Sequence, residues 1–267
     1  MKSVYLALIA FIALSLTLGC GRIGGTKADD DPGPAPASEF SADDSSAGIL
    51  FNKARKSLNR GQFLTAIEEY ESLEANFPFG DHAAQARLDV GYAYYQQGEH
   101  DNAIATLDRF LKLYPQSEKT DYAYYLKGLS NFSRGKSLLE SVVPRKLPQL
   151  DQAWLREAAS DFSTLEQKYP ESTFVEDAKT RRGLLLNNMA KHELETANYY
   201  FGRSAMVATI NRVNYMLEQF PESSSSAEGL ALLVKAHRAL GNTQSAEEAI
   251  TLLRACLLYT SPSPRDS

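Results

Sequence analysis

The sequence predicts an all-α protein, an α-solenoid built from five helix pairs. Two observations support this prediction. A helical-looking run ends in an aromatic residue and a proline four times, at Pro78, Pro115, Pro170 and Pro221. Glycine recurs thirteen residues after the first three prolines, and twenty residues after the first, second and fourth. A register kept over this length is typical of repeat arrays, in which each unit packs mainly on its neighbours.

The second unit, residues 84–115, shows the repeat most clearly. It predicts a helix, a turn at Gly98 and a second helix that ends before Pro115, because proline lacks an N–H and clashes with the preceding turn. Gly91 and Ala103 are small enough to let the two helices approach closely. This pattern resembles the tetratricopeptide repeat. The five repeats are predicted over residues 48–78, 84–115, 121–170, 174–221 and 227–255, forming one domain, residues 48–255.

Two units are longer than the others, and the sequence indicates where their extra residues lie. The third has an insertion after Gly135, where Pro144 and Pro148 interrupt the helical periodicity. The fourth has no such interruption over its fourteen extra residues. That excess is about four helical turns, and it predicts a longer first helix with its turn near Gly202.

The chain begins with a predicted lipoprotein signal peptide, residues 1–19. Lys2 precedes an apolar stretch, residues 4–19, that is too short for an ordinary membrane-spanning helix. The stretch leads directly into Cys20, which we expect to bear a covalent lipid, with no other cofactor. Gly21 rather than Asp at the next position predicts sorting to the outer membrane. A plain signal peptide with an incidental cysteine is the alternative.

Residues 20–47 are predicted to form a disordered, solvated tether between the lipid and the repeats. They are rich in Gly, Pro, Asp and Ser and have few large apolar side chains. Such a segment cannot bury enough surface to offset the entropy lost on ordering. The run of aspartates at residues 29–31 lacks the ligand spacing of an EF-hand.

Composition and spacing exclude several classes of function. A net charge of -5 and a pI near 5.5 argue against a nucleic-acid partner, which requires a basic surface. The four histidines are scattered without metal-ligand spacing, and the glycines do not form a phosphate-binding loop. We therefore predict a protein that is not an enzyme and has no metal site.

Longer stretches show a more specific resemblance. They are NFPFGDHAAQARLDVGYAYYQQGEHDNAIATLDRFLKLYP, TDYAYYLKGLSNF, ASDFSTLEQKYPESTF and ANYYFGRSAMVATINRVNYMLEQFPES. Over about residues 49–255, together with the lipoprotein signal, the chain resembles the BamD family. Its members are lipoprotein subunits of the β-barrel assembly machinery of Gram-negative outer membranes. The inserted third repeat and the extended fourth repeat are part of the resemblance.

The resemblance implies a non-catalytic scaffold, anchored by its lipid to the periplasmic face of the outer membrane. Its implied partners are the periplasmic POTRA domains of a BamA-type barrel, other lipoproteins of the machinery, and unfolded outer-membrane proteins whose folding and insertion it would assist. The segment INRVNYML places Arg212 and Asn211 where family members dock on a POTRA acidic residue.

First helices line the concave groove of tetratricopeptide arrays, so the sequence also predicts a substrate-peptide groove in the first three repeats. Aromatic side chains with at least one cation would suit extended hydrophobic peptides, such as the terminal strands of outer-membrane barrels. The predicted lining residues are Phe51, Arg55, Leu88, Tyr92, Tyr95, Tyr125 and Phe132. Some of these aromatics are expected to pack between repeats instead.

A second interpretation stays open at this point. A pilotin-like or peptidoglycan-associated tetratricopeptide lipoprotein would have the same general architecture but other envelope partners. The long fourth-repeat helix, followed by the sequence Asn-Arg-Val at residues 211–213, favours the BamD-like interpretation.

The last residues, 256–267, break the repeat pattern. The string CLLYTSPSPRD matches the translation of a transposon-end sequencing adapter. We therefore expect these residues to be an artefact and the native C-terminus to be missing. A genuine disordered tail is the alternative.

Overall fold

The structure is a computed structural model that describes residues 32–35, 45–134 and 152–260, with side chains as far as Leu257. Within these ranges it contains ten α-helices and no strand. The helices are α1 (Ser46–Asn59), α2 (Phe63–Asn76), α3 (Asp81–Gln96), α4 (His100–Leu113), α5 (Thr120–Ser133), α6 (Gln152–Lys168), α7 (Val175–Gly202), α8 (Met206–Gln219), α9 (Ser226–Ala239) and α10 (Thr243–Thr260).

The helices form five consecutive pairs, α1/α2 to α9/α10. Each helix packs on the one before it and the one after it, and first helices also contact each other in α1/α3, α3/α5 and α7/α9. This pattern of neighbour contacts confirms the predicted all-α repeat array of tetratricopeptide type.

Second helices bury one apolar stripe each, and α4 is the simplest case. Ala103, Leu107 and Phe110 follow one another at helical spacing and are all fully buried. Two glycines of the repeat pattern, Gly91 and Gly128, lie where their helix packs closely on the next one. A Cβ atom added to Gly128 would lie 2.5 Å from the ring of Phe162, so α5 and α6 can approach this closely only at a glycine.

The turn of the fourth pair lies next to Gly202, as predicted, but it does not use a glycine in the left-handed conformation. Gly61, Gly98 and Gly241 make the turns of the first, second and fifth pairs with φ of 73°, 74° and 75°. In the fourth pair the left-handed residue is Ser204, with φ of 59°, and not Gly202, which ends the helix. The excess residues lengthen α7 to 28 residues, as the uninterrupted sequence predicts.

Both ends of the array differ in detail from the predicted domain bounds. Ser45 caps α1 by accepting a hydrogen bond from the Gly48 N–H at 3.0 Å, so the first helix begins at Ser46. The last helix, α10, continues to Thr260, because no proline interrupts it before Pro262. The signal peptide, Cys20, the insertion after Gly135 and the end of the tail lie outside the described residues.

Candidate functional site

The predicted docking residue Arg212 forms an ion pair across the fourth helix pair. Its Nη1 donates a hydrogen bond to Glu193 Oε2 at 2.8 Å. The side chain of Glu193 is only 6% exposed, whereas that of Arg212 is 39% exposed. The carboxylate is therefore a buried anchor, and the guanidinium reaches the surface with further N–H groups directed to solvent or a partner.

The helix packing explains why these two residues meet. On α8, Thr209, Val213 and Met216 form the buried stripe, and Arg212 lies at its edge. On α7, Glu193 lies within a buried stripe otherwise formed by small and apolar residues, including Leu194. A carboxylate in such surroundings needs a charged partner, because burial of an unpaired charge is very unfavourable.

A stripe of exposed residues runs along α8 next to this ion pair. Val207, Asn211 and Tyr215 follow at intervals of four, so they share one face of the helix. Val207 is 62% exposed and Tyr215 is 37% exposed. Large apolar side chains beside an arginine are typical of the centre of a protein–protein interface. We call Val207, Asn211, Arg212 and Tyr215 the docking face, after the role predicted for Arg212.

A second polar cluster lies between the first two pairs. Asp89 is fully buried and accepts hydrogen bonds from Arg55 Nη1 at 2.6 Å, from the Tyr70 hydroxyl at 2.6 Å and from Gln85 Nε2 at 2.9 Å. Burial, together with the negative charge of Asp89, raises the pKa of the Tyr70 phenol. Pairing with Asp89 outweighs burial and raises the pKa of Arg55. Burial raises the pKa of Asp89 itself, whereas Arg55 and the hydrogen bonds from Tyr70 and Gln85 oppose that rise by stabilising the carboxylate.

The structure places most of the predicted groove residues in the core between repeats. Five of the seven are buried: Phe51, Leu88, Tyr92, Tyr125 and Phe132. Phe51, for example, contacts the rings of Tyr70 and His82, and Tyr125 stacks on Phe174 and donates a hydrogen bond to Asp177 at 2.5 Å. Arg55 and Tyr95 remain partly exposed. In this conformation the described lining is therefore not an open aromatic trough.

Sequence reasoning missed Glu193, Gln85 and Asp89. Glu193 interrupts an otherwise apolar helix face, and Gln85 and Asp89 are four residues apart on a helix whose neighbouring positions are apolar. A polar residue in a predicted core stripe was the available signal, since such groups need partners.

Comparison with known proteins decides which family the chain belongs to. The family described as outer membrane lipoprotein (YfiO) matches residues 43–252. A Vibrio cholerae protein named outer membrane protein assembly factor BamD is 31% identical over 250 residues, covering 94% of this chain and 98% of the relative. The chain belongs to the BamD family.

Other BamD-family relatives agree with this assignment. Proteins of the same name from Xylella fastidiosa and Neisseria meningitidis are each 35% identical to this chain. The alignments cover 77% and 76% of this chain, and 70% and 76% of the respective relatives. These relatives are named assembly factors rather than enzymes, which confirms the prediction of a non-catalytic protein.

Two further observations on the described residues of this BamD-family chain concern membrane-spanning helices and metal sites. None of its described helices is both long and apolar enough to cross a bilayer. Within the same ranges, no group of three or more His, Cys, Asp or Glu side chains could bind a metal ion.

Proposed function

We propose that this chain is a scaffold of the β-barrel assembly machinery, attached to the periplasmic face of the outer membrane by a lipid on Cys20. Family membership and the names of its relatives support a role in outer-membrane protein assembly. The repeat array supports the scaffold role, because stacked helix pairs offer extended surfaces to several partners at once.

The docking face is the proposed contact for the periplasmic POTRA domains of a BamA-type barrel. The observation that supports it is the Arg212–Glu193 pair, in which a buried carboxylate fixes the direction of a partly exposed guanidinium. An acidic residue of the partner would then be bound by a preoriented arginine, at a lower entropic cost than by a mobile one. Asn211 adds an adjacent amide, and Val207 and Tyr215 add apolar area.

Unfolded outer-membrane proteins are the proposed clients, received on the first-helix side of the first three pairs. Five of the predicted groove residues are buried. Client binding there would therefore involve Arg55 and Tyr95, which are partly exposed, or a rearrangement of the rings. Other lipoproteins of the machinery are further proposed partners.

Depletion of the protein in its own organism tests the function. We expect the outer membrane to lose β-barrel proteins of many families together, while outer-membrane lipoproteins remain at their normal level. A pilotin-like role would instead affect a single secretion channel. If depletion removes one channel and leaves the other barrels unchanged, the proposed function is wrong and the pilotin-like alternative stands.

A further inference from the structure

A surface cleft of about 290 Å³ lies where α6, α7 and α8 meet. Tyr215, a residue of the docking face, is also part of its lining. Arg212, Tyr215 and Gln219 follow one another on α8 at intervals of three and four, so they share one face of the helix. Gln219 lines the cleft as well. The docking face therefore continues along α8 into the cleft.

The buried part of the cleft lining is apolar. Met189 of α7 and Phe220, directly after α8, are 3% and 8% exposed. Leu186 of α7 is partly buried and packs against the same core. A recess of this size beside an interface suits a single large apolar side chain, because its burial removes apolar area from water.

The charge of the cleft is positive, since two arginines and no described carboxylate line it. Arg182 of α7 pairs with Glu166 at two points, from Nε to Oε1 at 2.6 Å and from Nη2 to Oε2 at 2.9 Å. Arg156 of α6 is exposed and forms no ion pair or hydrogen bond with a described residue. The charge of Arg182 is thus balanced within the chain, whereas that of Arg156 is available to a partner.

A second cleft shows that the repeat fold alone does not produce this lining. It lies in the equivalent place of the second pair, where α2, α3 and α4 meet, and its volume is about 320 Å³. The charged residues that line it are balanced, two glutamates and two arginines: Glu71, Glu74, Arg87 and Arg109. Of these two clefts, the one beside the docking face is the one with an excess of positive charge.

We propose that the cleft between α6 and α8 receives one large apolar side chain from an acidic segment of the partner that binds the docking face. That side chain would lie against Leu186, Met189 and Phe220, and a carboxylate of the same segment would pair with Arg156. The inference rests on the proposed function, because it takes this partner to be the periplasmic domains of a BamA-type barrel.

The cleft would make the docking selective. A partly exposed arginine such as Arg212 can pair with many accessible carboxylates, so it discriminates little between acidic surfaces. A recess that must be filled excludes acidic surfaces that lack an apolar side chain at the matching distance. An apolar contact in a recess, next to charged contacts at its rim, is also the usual arrangement of residues that dominate binding.

The first test fills the cleft and measures binding by surface plasmon resonance, with the mature chain over immobilised periplasmic domains of the BamA-type barrel. Ser160 is an exposed residue of α6 that lines the cleft. Ser160→Trp should lower the affinity about tenfold, because the indole would occupy the space of the incoming side chain. Ala105→Trp is the matched control, since Ala105 is also exposed and lines the cleft of the second pair. Both residues stand ten positions before the proline that closes their repeat. The control should bind like wild type.

The second test removes the unpaired charge. Arg156→Ala should weaken binding about fivefold, through the loss of a charge pair at the edge of the interface. Arg109→Ala is its control, because Arg109 is also exposed, lines the second cleft and forms no ion pair or hydrogen bond with a described residue. The control should leave the affinity unchanged.

The third test asks whether the occupant is apolar. Gln219→Leu extends the apolar lining, so it should raise the affinity about threefold. Gln244→Leu, at an exposed position of α10, should have no effect. Lower affinity in Gln219→Leu would mean that the cleft receives a polar group, which contradicts the proposed occupant.

The outcomes separate this inference from the function on which it rests. Unchanged affinity in Ser160→Trp and Arg156→Ala, together with a loss in Arg212→Glu, refutes the cleft and leaves the docking face in place. A loss in Ser160→Trp without one in Arg156→Ala contradicts the acidic segment. Equal losses in Ser160→Trp and Ala105→Trp would also overturn the inference. Absence of binding by a wild-type chain that circular dichroism shows to be folded refutes the proposed partner, and this inference with it.

Discussion

Glu193 binds Arg212 through a single hydrogen bond of 2.8 Å, from a nearly buried position on α7 to a partly exposed one on α8. The direction of the arginine is therefore set by a residue that a partner cannot reach. We therefore propose Glu193 as a positioning residue for the docking face. Whether a substitution of Glu193 raises or lowers the affinity for the partner therefore shows how Glu193 acts on Arg212.

Replacing Glu193 with alanine should weaken binding to the BamA-type periplasmic domains. The freed arginine would have to lose side-chain entropy on binding, which costs up to about 2 kcal/mol, and the affinity should fall by about tenfold. Surface plasmon resonance with immobilised periplasmic domains measures the change. Glu193→Gln, which keeps an oxygen acceptor for Arg212, should recover most of the loss.

Tighter binding by Glu193→Ala would indicate a different role for Glu193. Removing a negative charge next to the site raises the local positive potential and would favour an acidic partner. If Glu193→Ala binds more tightly than wild type, Glu193 competes with the partner for Arg212 and does not position it.

Gly128 should be intolerant of even one added methyl group. Its Cβ would lie 2.5 Å from the ring of Phe162, which is fully buried and cannot move freely. We expect Gly128→Ala to lower the free energy of unfolding by about 1–2 kcal/mol, after allowing for the better helix propensity of alanine. Urea titration followed by circular dichroism measures the loss.

Gly183 provides the matched control, because it lies within α7 with nothing within 4 Å of an added Cβ. Gly183→Ala should raise the free energy of unfolding by about 0.5–1 kcal/mol through helix propensity alone. If both substitutions change stability in the same direction, close packing at Gly128 is not what the glycine provides.

Replacing Ser204 with glycine should stabilise the protein. It adopts φ of 59°, a left-handed conformation that is unfavourable for residues with a Cβ atom. We expect Ser204→Gly to raise the free energy of unfolding by about 0.5–1 kcal/mol, and Gly98→Ser, at φ of 74°, to lower it by a similar amount. A loss of stability in Ser204→Gly would contradict the strain assigned to this turn.

Alkaline pH should destabilise the protein through Tyr70. Burial and the charge of Asp89 raise the pKa of this phenol in the folded chain. Above the ordinary tyrosine pKa of about 10, the unfolded chain binds fewer protons than the folded chain, so stability falls as pH rises. The contribution of Tyr70 is about 1.4 kcal/mol per pH unit. Denaturant titrations between pH 9 and pH 11 should show a shallower decline in Tyr70→Phe. Parallel declines would contradict this assignment.

The repeat architecture could be predicted from the sequence because the residues that end its helices and form its turns act locally. Each proline ends a helix at its own position, and glycine spacing fixes the register of the pairs. The length of α7 followed from the absence of a helix breaker. The left-handed conformation of Ser204 in the turn that follows could not be predicted in this way, since serine does not favour that conformation as glycine does.

The sites were harder to predict than the fold. The first helices α3 and α5 pack on their own partners, on the preceding helices and on each other, so 9 of 16 and 10 of 14 of their residues are buried. Periodicity then does not show which aromatic side chain faces the groove, and Tyr125 proved to be buried against Phe174. Ala35 is buried within the segment predicted as a solvated tether, and its position depends on a contact with Arg55, twenty residues away in sequence, which composition does not report.

The most direct test of the account is the affinity of the mature chain for the periplasmic domains of the BamA-type barrel from the same organism. Wild type is compared with Arg212→Glu, and Arg87→Glu serves as the matched control. Arg87 also pairs with a glutamate within the chain, Glu74, and it lies on α3, whereas the docking face lies on α8, so its reversal breaks an ion pair in another part of the array.

We expect wild type and Arg87→Glu to bind with similar affinity, and Arg212→Glu to lose binding by at least about a hundredfold, because the reversed charge repels an acidic partner. Circular dichroism should show the same helix content in all three chains. Equal binding by wild type and Arg212→Glu would contradict the proposed docking face. Absence of binding by a folded wild-type chain would contradict the proposed partnership itself.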